Sequence, residues 1–533
     1  EALVVLTAVE PGDQVQGLID NIKDIASQVK AKNIVLYPYA HLSSNLAAPE
    51  LAEAILEQAE KALKKTYKVI RAPFGYYKEF ELKVKGHPLS ELSREIKLTK
   101  EKEKSGKETQ ADYEQLLREI GKSRLDRKKL KPNDHRILGQ QLDLFSFHET
   151  VAPGMVFWHN KGLIIYNELA EFWREMHRKN GYQEIKTPQI MDSKLWKVSG
   201  HWDKYKENNF ITDYEKRVFL VKPMSCPGGI LVFKNSPKSY KDLPLRVAEI
   251  GVVHRQELSG VLAGLFRVVK FTQDDAHIFC TEEQAEEEFQ KVMDLHKYYY
   301  ETLGLNEKNY FLSFAIRDPK SKKYVGDKKM WDKAEKIALK FIKKTNIPYK
   351  VEAGSAAFYG PKIDFNIKTV TGKVFSASTN QLDFQLPKAF GLKYIDKDGK
   401  EKIPVCIHRA PLGAHVRFIA FLTEHYAGNF PVWLAPVQVA VIPISEKHDQ
   451  YASEITKQLK EYNVRVELKN ENETLGKKIR EAEMQKIPYL LIVGDKEVEA
   501  KTVSVRERGK GDIGARPINS FLDKIKQEII SKK

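Results

Sequence analysis

The first 95 residues alternate β-rich apolar runs with helical periods. EALVVLTAV, NIVLYPY and YKVIRAPF read as strands, with helical patterns near residues 13–30 and 48–64 between them, and KEFELKVKG alternates as a further strand. This beat predicts a compact α/β unit. From Leu98 to Pro132 it fades into TKEKEKSGKETQ and KSRLDRKKLKP, a charged linker with one helical stretch at YEQLLREI. Ile165, Leu169, Phe172, Trp173 and Met176 then share one helical face, Gly181 ends that helix, and YQEIKTPQI reads as extended. Between Arg217 and Phe384 strand patterns outnumber helices, which are predicted near 282–303 and 328–344. Without a βαβ beat, an antiparallel α+β sheet is the expectation. After LAPVQ the beat returns: VQVAVIPI, VRVEL and YLLIV alternate with helices near 446–462 and 475–486. The pattern therefore predicts an α+β multidomain chain, divided as 1–97, a linker 98–138, 139–434 and an α/β module 435–533.

The stretch RQELSGVLAGLFRVVKFTQDDAH, residues 255–277, sets two arginines, two Gln, two Asp and a His around an apolar hairpin pattern split at Gly264. By itself it reads as a surface hairpin with solvated charges. Cations pointing out of a buried sheet gain a purpose only when an anion arrives. The chain has 533 residues, too many for one core, and 42% apolar residues sustain several. Its 88 Lys and Arg against 72 Asp and Glu leave a charge of +16, which suits a polyanionic partner such as nucleic acid. A Lys/Glu-rich solvated surface accounts for the same excess. Three scattered cysteines, Cys226, Cys280 and Cys406, imply a reducing cytosol rather than a disulfide framework. No apolar run is long enough to span a membrane, and no charged-then-apolar leader precedes the first strand. The chain begins at Glu1 rather than Met, which leaves room for sequence upstream.

The stretch is not alone. PGMVFWHNKG, GHWDKY, KPMSCPGG, FTQDDAHIF, AFYGPKIDF, NQLDF, HRAPLGAHVRF and LAPVQV follow one another in the order seen in threonyl-tRNA synthetases of class II. The resemblance runs from about residue 140 to the end, and the opening stretch is similar to motif 2 of the class. LYPYAHLSS, APFGYYKEF and KGHPLSELSR resemble the editing domain of the archaeal type, a fold like that of D-aminoacyl-tRNA deacylases. The resemblance implies a class II antiparallel catalytic core, an α/β anticodon-binding domain and an α/β editing domain. It implies ATP-dependent ligation of L-threonine to tRNA(Thr) through a threonyl-adenylate, hydrolysis of mischarged seryl-tRNA, a cytoplasmic homodimer joined through the motif 1 segment at Pro188, one Zn²⁺ per chain and Mg²⁺ with ATP. Two other readings compete: another amino-acid specificity within the class, and a non-catalytic synthetase-like RNA-binding or regulatory protein.

Residue by residue, the resemblance assigns Arg255 and Arg417 to the phosphates and carboxylate of activation, Arg267 to a second phosphate contact, and Phe271 with Arg417 to the two faces of adenine. Glu257 completes the expected ATP set. Guanidinium suits such work because it is planar, always charged and grips two oxygens at once. Cys226, His277 and His408 match the zinc ligands, a set that spacing alone does not suggest. Asp275 matches the acceptor of the threonine hydroxyl, and Met224, Gln273, Tyr359, Lys362 and Gln381 match residues around the substrate, Lys362 also in a catalytic role. His201 matches a histidine of the transfer step, able to move a proton near neutral pH. Asn472, Glu497 and Arg506 match anticodon readers; Glu10, His41, Tyr77, Lys78 and Glu91 match the editing pocket, whose first strand in the family precedes the equivalent of Glu1. Gly229, Ala263, Ser376 and Ala414 depart from the residues frequent in the family, at fine contacts only.

Overall fold

The computed structural model describes residues 2–39, 42–43, 46–75, 130–204, 209–306, 308–321, 323–326, 328–345 and 347–532. The expected strand KEFELKVKG and helix YEQLLREI lie outside them. The chain divides into two bodies, Glu1–Glu114 and Gln115–Lys533.

In the first body, β1 (Leu3–Thr7), α1 (Val15–Gln28), β2 (Asn33–Pro38), α2 (Pro49–Leu63) and β3 (Lys68–Arg71) follow the predicted beat. The strands are parallel in the order β1-β2-β3. Leu36 shares one buried core with Leu56, Ala59 and Leu63 of α2, and Arg71 anchors β3 to the same helix through Glu57 and Glu60, both at 3.0 Å.

The second body is built on an eight-stranded sheet. The sheet and the helices that position the site are α3 (His135–Gln141), α4 (Asn160–Lys179), β4 (Gln183–Glu184), α5 (Cys226–Lys234), β5 (Leu245–His254), β6 (Lys270–Cys280), α6 (Glu282–Thr302), β7 (Tyr310–Ile316), α7 (Lys328–Lys344), β8 (Tyr349–Ala353), β9 (Lys362–Lys368), β10 (Val374–Asp383), β11 (Val405–Ala410) and α8 (His415–His425). The strand order is β8-β7-β9-β10-β11-β6-β5-β4, antiparallel except for the parallel outer pairs β7–β8 and β4–β5. α4 buries the predicted face, Ile165, Leu169, Phe172, Trp173 and Met176, and ends where Gly181 takes φ 71°. α6 starts from a reciprocal Thr281–Gln284 capping box and packs Phe289 on Phe341 of α7, with rings 5.2 Å apart. One face of the sheet is thus covered by helices, and the other is left for the site.

The apolar run VLAGLFRVV is not a pair of strands. β5 and β6 pair from Leu245–His254 to Lys270–Cys280, and the run lies in the loop between them, beyond a short 3₁₀ turn at Ser259–Val261. Gly264 turns that loop at φ 56°. Adjacent residues Leu265 and Phe266, then Val268 and Val269, are all buried, which an alternating strand facing solvent on one side does not allow.

The C-terminal part of this body comprises β12 (Val439–Pro443), α9 (Asp449–Glu461), β13 (Val466–Leu468), α10 (Leu475–Met484), β14 (Tyr489–Val493), α11 (Asp495–Ala500), β15 (Thr502–Glu507), β16 (Gly511–Pro517) and α12 (Ile518–Ser531). Its sheet order is β13-β12-β14-β15-β16, parallel in the first three strands and antiparallel after them. Two arginines clasp it to the larger sheet's surroundings. Arg465 donates to the carbonyls of Trp433 (2.6 Å) and Ala435 (2.9 Å) and pairs with Glu168 of α4, while Arg508 donates to the carbonyls of Asn429 (3.1 Å) and Phe430 (2.6 Å).

Behind the sheet, His296 of α6 is fully buried against Phe365, with no partner for either ring nitrogen, and burial pushes its ionisation down to about 3. A histidine depressed below its unfolded value of 6.5 favours the fold above that pH and penalises it as pH falls from 6.5 towards 3. Each such group steepens the loss by up to about 1.4 kcal/mol per pH unit. His296→Leu is expected to shrink the drop in Tm between pH 7 and pH 5; an unchanged drop would remove His296 from the acid response.

Candidate active site

The site begins as one row across neighbouring strands. Lys362 of β9 lies opposite Gln381 of β10, Gln381 opposite His408 of β11, and His408 opposite His277 of β6. Directly opposed residues share a face, so the register puts all four side chains on the same side of the sheet. Two and four residues back along β6, Asp275 and Gln273 follow on that face, opposite Glu249 and Gly251 of β5. Cys226 comes from elsewhere, at the N-terminal end of α5.

Cys226, His277 and His408 are all buried, and their ligand atoms lie within 4.8 Å of one another. Asp383, also buried, accepts from His408 Nε2 at 2.8 Å and from the amides of Gln385 and Leu386. That bond leaves Nδ1 as the atom His408 can offer, the carboxylate–histidine arrangement that orients metal ligands. His277 Nε2 is buried without a partner. Burial pushes the Cys226 thiol well up and the His277 imidazole well down, toward neutral forms. A cation would reverse the thiol's preference. One sulfur and two imidazole nitrogens, converging with an orphaned nitrogen among them, fit a divalent ion that prefers mixed S/N ligands and leave a coordination position open. His201 stands beside this cluster, its Nε2 3.9 Å from Cys226 Sγ and its Nδ1 2.8 Å from Ser199 Oγ. Burial lowers His201 to about 3, so at neutral pH it is an uncharged imidazole and a weak base, against the expectation of a histidine that exchanges its proton near neutral pH. A Cβ at Gly229 would lie 3.0 Å from His277 Nδ1, so the glycine lets α5 approach that ring closely.

A hydrogen-bonded chain runs along the row. Tyr359, its ring 4.9 Å from that of His408, donates to Gln381 Oε1 (2.6 Å); Gln381 Nε2 donates to Thr379 Oγ1 (3.1 Å), and Thr379 to Asp364 Oδ1 (2.6 Å). Asp364 also holds the Lys362 ammonium. Met224 packs half-buried against the apolar cluster around Cys226. Asp275 is pushed up to about 6, first by burial and then by Glu249, against the pull of His408 and Arg255. Glu249 is itself held by Lys222 (2.8 Å) and Thr187, both buried. Asp364, Thr379, Asp383 and Glu249 escaped the sequence reading. Their signal is strand alternation, since Asp364 and Asp383 follow Lys362 and Gln381 by two positions and Thr379 precedes Gln381 by two.

Beside the row opens a cleft of about 610 Å³, including its mouth, among whose lining residues are Arg255, Glu257, Arg267, Phe271, Phe375 and Arg417. Arg255 donates to the carbonyl of Pro223 (3.1 Å), and its guanidinium stands 5.2 Å from the Phe271 ring. Arg417 donates to the carbonyls of Phe266 (3.1 Å) and Ser376 (2.9 Å). Its guanidinium stands over the ring of Phe375 at 5.9 Å, a residue not singled out from the sequence. Burial and the neighbouring Arg255 and Arg267 lower Arg417 to about 10, still a cation at neutral pH. Arg267 is half-exposed and paired with Glu257 at 2.8 Å. Three guanidiniums around one carboxylate make an anion site. Two departures touch it lightly: Ser376 meets Arg417 through its carbonyl, and Ala414 bridges to Gln273 through backbone. Ala263 also engages by backbone, to the carbonyl of Arg267 at 3.2 Å.

The remaining predicted residues do not gather as tightly. Asn472 is exposed before α10, Glu497 accepts from the Gly494 amide (3.0 Å) at the start of α11, and Arg506 on β15 reaches Glu483 at 3.8 Å. Of the editing set, Glu10 accepts from Ser43; His41, Tyr77, Lys78 and Glu91 lie outside the described residues.

An antiparallel sheet carrying an arginine cleft, followed by an α/β module, defines a class II tRNA synthetase core with its appended domain. Sequence models agree: the class II core domain of the G, H, P, S and T synthetases matches residues 205–426, an anticodon-binding domain 438–528, and the archaea-specific editing domain of threonyl-tRNA synthetase 1–96. The threonine–tRNA ligase of Caldanaerobacter subterraneus is 51% identical over 402 residues, and that of Desulforamulus reducens 50%, each across 75% of this chain. The chain spans 61% and 62% of those relatives' lengths. The RNA-binding domain of threonyl-tRNA synthetase from Cryptosporidium parvum superposes with a TM-score of 0.70 at 40% identity, over 74% of this chain and 98% of that one. The chain belongs to the threonyl-tRNA synthetase family. No described helix is long and apolar enough to cross a membrane.

Titration with Co²⁺, a spectroscopic probe for S/N sites, is expected to give one thiolate-to-cobalt absorption band per chain that Cys226→Ser abolishes. A band that survives the substitution would put the cation elsewhere.

Proposed function

We propose that the chain is an ATP-dependent threonine–tRNA ligase. It joins L-threonine to the α-phosphate of ATP with loss of pyrophosphate, then passes the threonyl group to tRNA(Thr). The observation that carries this reading is the neighbouring of two features on one sheet face: the three-arginine cleft and the buried Cys226, His277 and His408 cluster. Arg255 and Arg417, with Arg267, stabilise the charge that develops on the phosphates, from positions already fixed by carbonyl contacts. Phe271 and Arg417 enclose the adenine, Glu257 holds Arg267 in place, and Mg²⁺ accompanies the nucleotide. Zn²⁺ on Cys226, His277 and His408 would supply a Lewis-acid contact for the amino and hydroxyl groups of threonine. Asp275 accepts from that hydroxyl, within a pocket shaped by Met224, Gln273, Tyr359, Lys362 and Gln381. Valine offers no hydroxyl, and a site built to bind one rejects the analogue strongly. His201, beside the cluster, serves the transfer step at the terminal ribose, where contact with the substrate would have to restore its basicity.

Asn472, Glu497 and Arg506 read anticodon bases, in the manner of unstacked RNA loops. The functional division follows 1–97, 98–138, 139–434 and 435–533, with pairing into a homodimer through the segment around Pro188 and residence in the cytoplasm, where three unpaired cysteines persist. A non-catalytic RNA-binding role is less favoured, because nothing in such a role calls for Arg417 to be desolvated.

Amino-acid-dependent ATP–pyrophosphate exchange should respond to threonine, weakly to serine and hardly to valine. Arg255→Ala, still folded by circular dichroism, should lose two to three decades of that rate, on the order of 3–4 kcal/mol. Wild-type exchange rates in the variant would remove Arg255 from activation. Because the methyl that separates serine from threonine is worth only about 1–3 kcal/mol, a hydrolytic second sieve is required. Glu10, His41, Tyr77, Lys78 and Glu91 are its proposed pocket. Lys78→Ala should let seryl-tRNA accumulate; equal deacylation by wild type and variant would refute that pocket.

A further inference from the structure

Asp134, His135 and Glu424 form a second buried group of potential metal ligands, outside the site described above. Their acceptor atoms are already engaged. Asp134 takes the Arg136 amide (2.9 Å) and guanidinium (2.9 and 2.8 Å). Glu424 Oε1 takes the His135 amide (3.3 Å) and Nδ1 (2.8 Å), and its Oε2 takes the Val370 amide (3.0 Å). His135 Nε2 accepts the amide of Leu265 at 3.1 Å. An imidazole that accepts at Nε2 carries its proton on Nδ1, so His135 donates to Glu424 and receives from the loop. This is a relay of hydrogen bonds, not a cation site.

The relay ends at the wall of the arginine cleft. Leu265 and Phe266 line that cleft, and the Phe266 carbonyl accepts from Arg417. Arg417 and Glu424 sit two turns apart on α8. A closed circuit results: α8 holds the loop through Arg417 and again through Glu424 and His135. The His135 ring also meets Phe266 edge-on at 4.8 Å, and Phe266 stacks on Phe375 at 4.8 Å. Gly264 makes the approach possible, since a Cβ there would fall 2.4 Å from His135 Nε2.

We propose that His135, supplied by α3 from before the catalytic sheet, is a positioning residue for nucleotide binding. It fixes the Gly264–Phe266 turn against α8, so that Arg417 and the aromatic wall are in place before the nucleotide arrives. The proposal rests on the reading of the cleft as an ATP site.

Three variants test it by pyrophosphate exchange. His135→Ala should raise KM for ATP by about tenfold to a hundredfold, the scale of a lost buried relay, with KM for threonine changed less than about twofold on that principle of local loss. His135→Gln places an amide where Nε2 stands and can still accept from Leu265; His135→Asn reaches only toward Glu424. Glutamine should therefore rescue KM for ATP and asparagine should not, although both remove the ring. Equal rises for ATP and threonine, or equal behaviour of the two amides, would overturn the proposal and reveal a stability role alone. Wild-type exchange run alongside tests the ATP reading itself. If it is absent, calorimetric binding of ATP to wild type and His135→Asn decides, and equal affinities overturn the proposal.

Discussion

Strand register is the constraint on which the site depends. Lys362, Gln381, His408 and His277 stand in one line because four strands pair without offset at that level. A slip of one residue between β6 and β11 would turn His408 or His277 to the helix-covered face. The register is held from behind by a core in which Ile278, Ile363, Leu382 and Ile407 are fully buried under α6. A bulge does occur in β9, between Phe365 and Asn366, but it falls beyond the functional row. Packing on one face thus fixes chemistry on the other.

Charge is handled in two ways on the site's own face. The cleft gathers guanidiniums whose mutual repulsion and burial cost stability in the absence of an anion, as the depressed ionisation of Arg417 reflects. Nearby, Lys222 and Glu249 are paired with Thr187 in full burial, an arrangement in which removing one partner strands the other charge. That pair spans the strand next to Asp275, and Glu249 contributes to holding the Asp275 carboxyl up. Electrostatic strain is therefore kept where ligands enter, and satisfied pairs support it from the side.

Much of this was legible in the sequence where periodicity was long. α4 and α7, and the regular beats at both ends, followed from apolar spacing, because each buries one continuous stripe. The order of the eight strands was not legible, since it depends on contacts between segments far apart in sequence. Spacing alone could not assemble Cys226, His277 and His408, which come from a helix end and two strands; resemblance named them. The loop 261–269 misled because burial of a loop against a core imitates the composition of a strand. Asp383 and Asp364 were missed although NQLDF and AFYGPKIDF contain them, because their work of orienting a neighbour depends on contacts that the sequence does not display.

The clasp made by Arg465 and Arg508 has a consequence for how this family can drift. Both arginines grip peptide carbonyls of the 429–435 segment, an acceptor that every residue carries whatever its side chain. What constrains the side chains of this segment is therefore the core, where Phe430, Trp433, Leu434 and Ala435 are buried, and not the grip itself, while the two cations that do the gripping cannot be exchanged even for lysine, which lacks the forked geometry. The joint between the C-terminal module and the sheet is in this sense gripped through backbone, and only its fasteners are written in sequence.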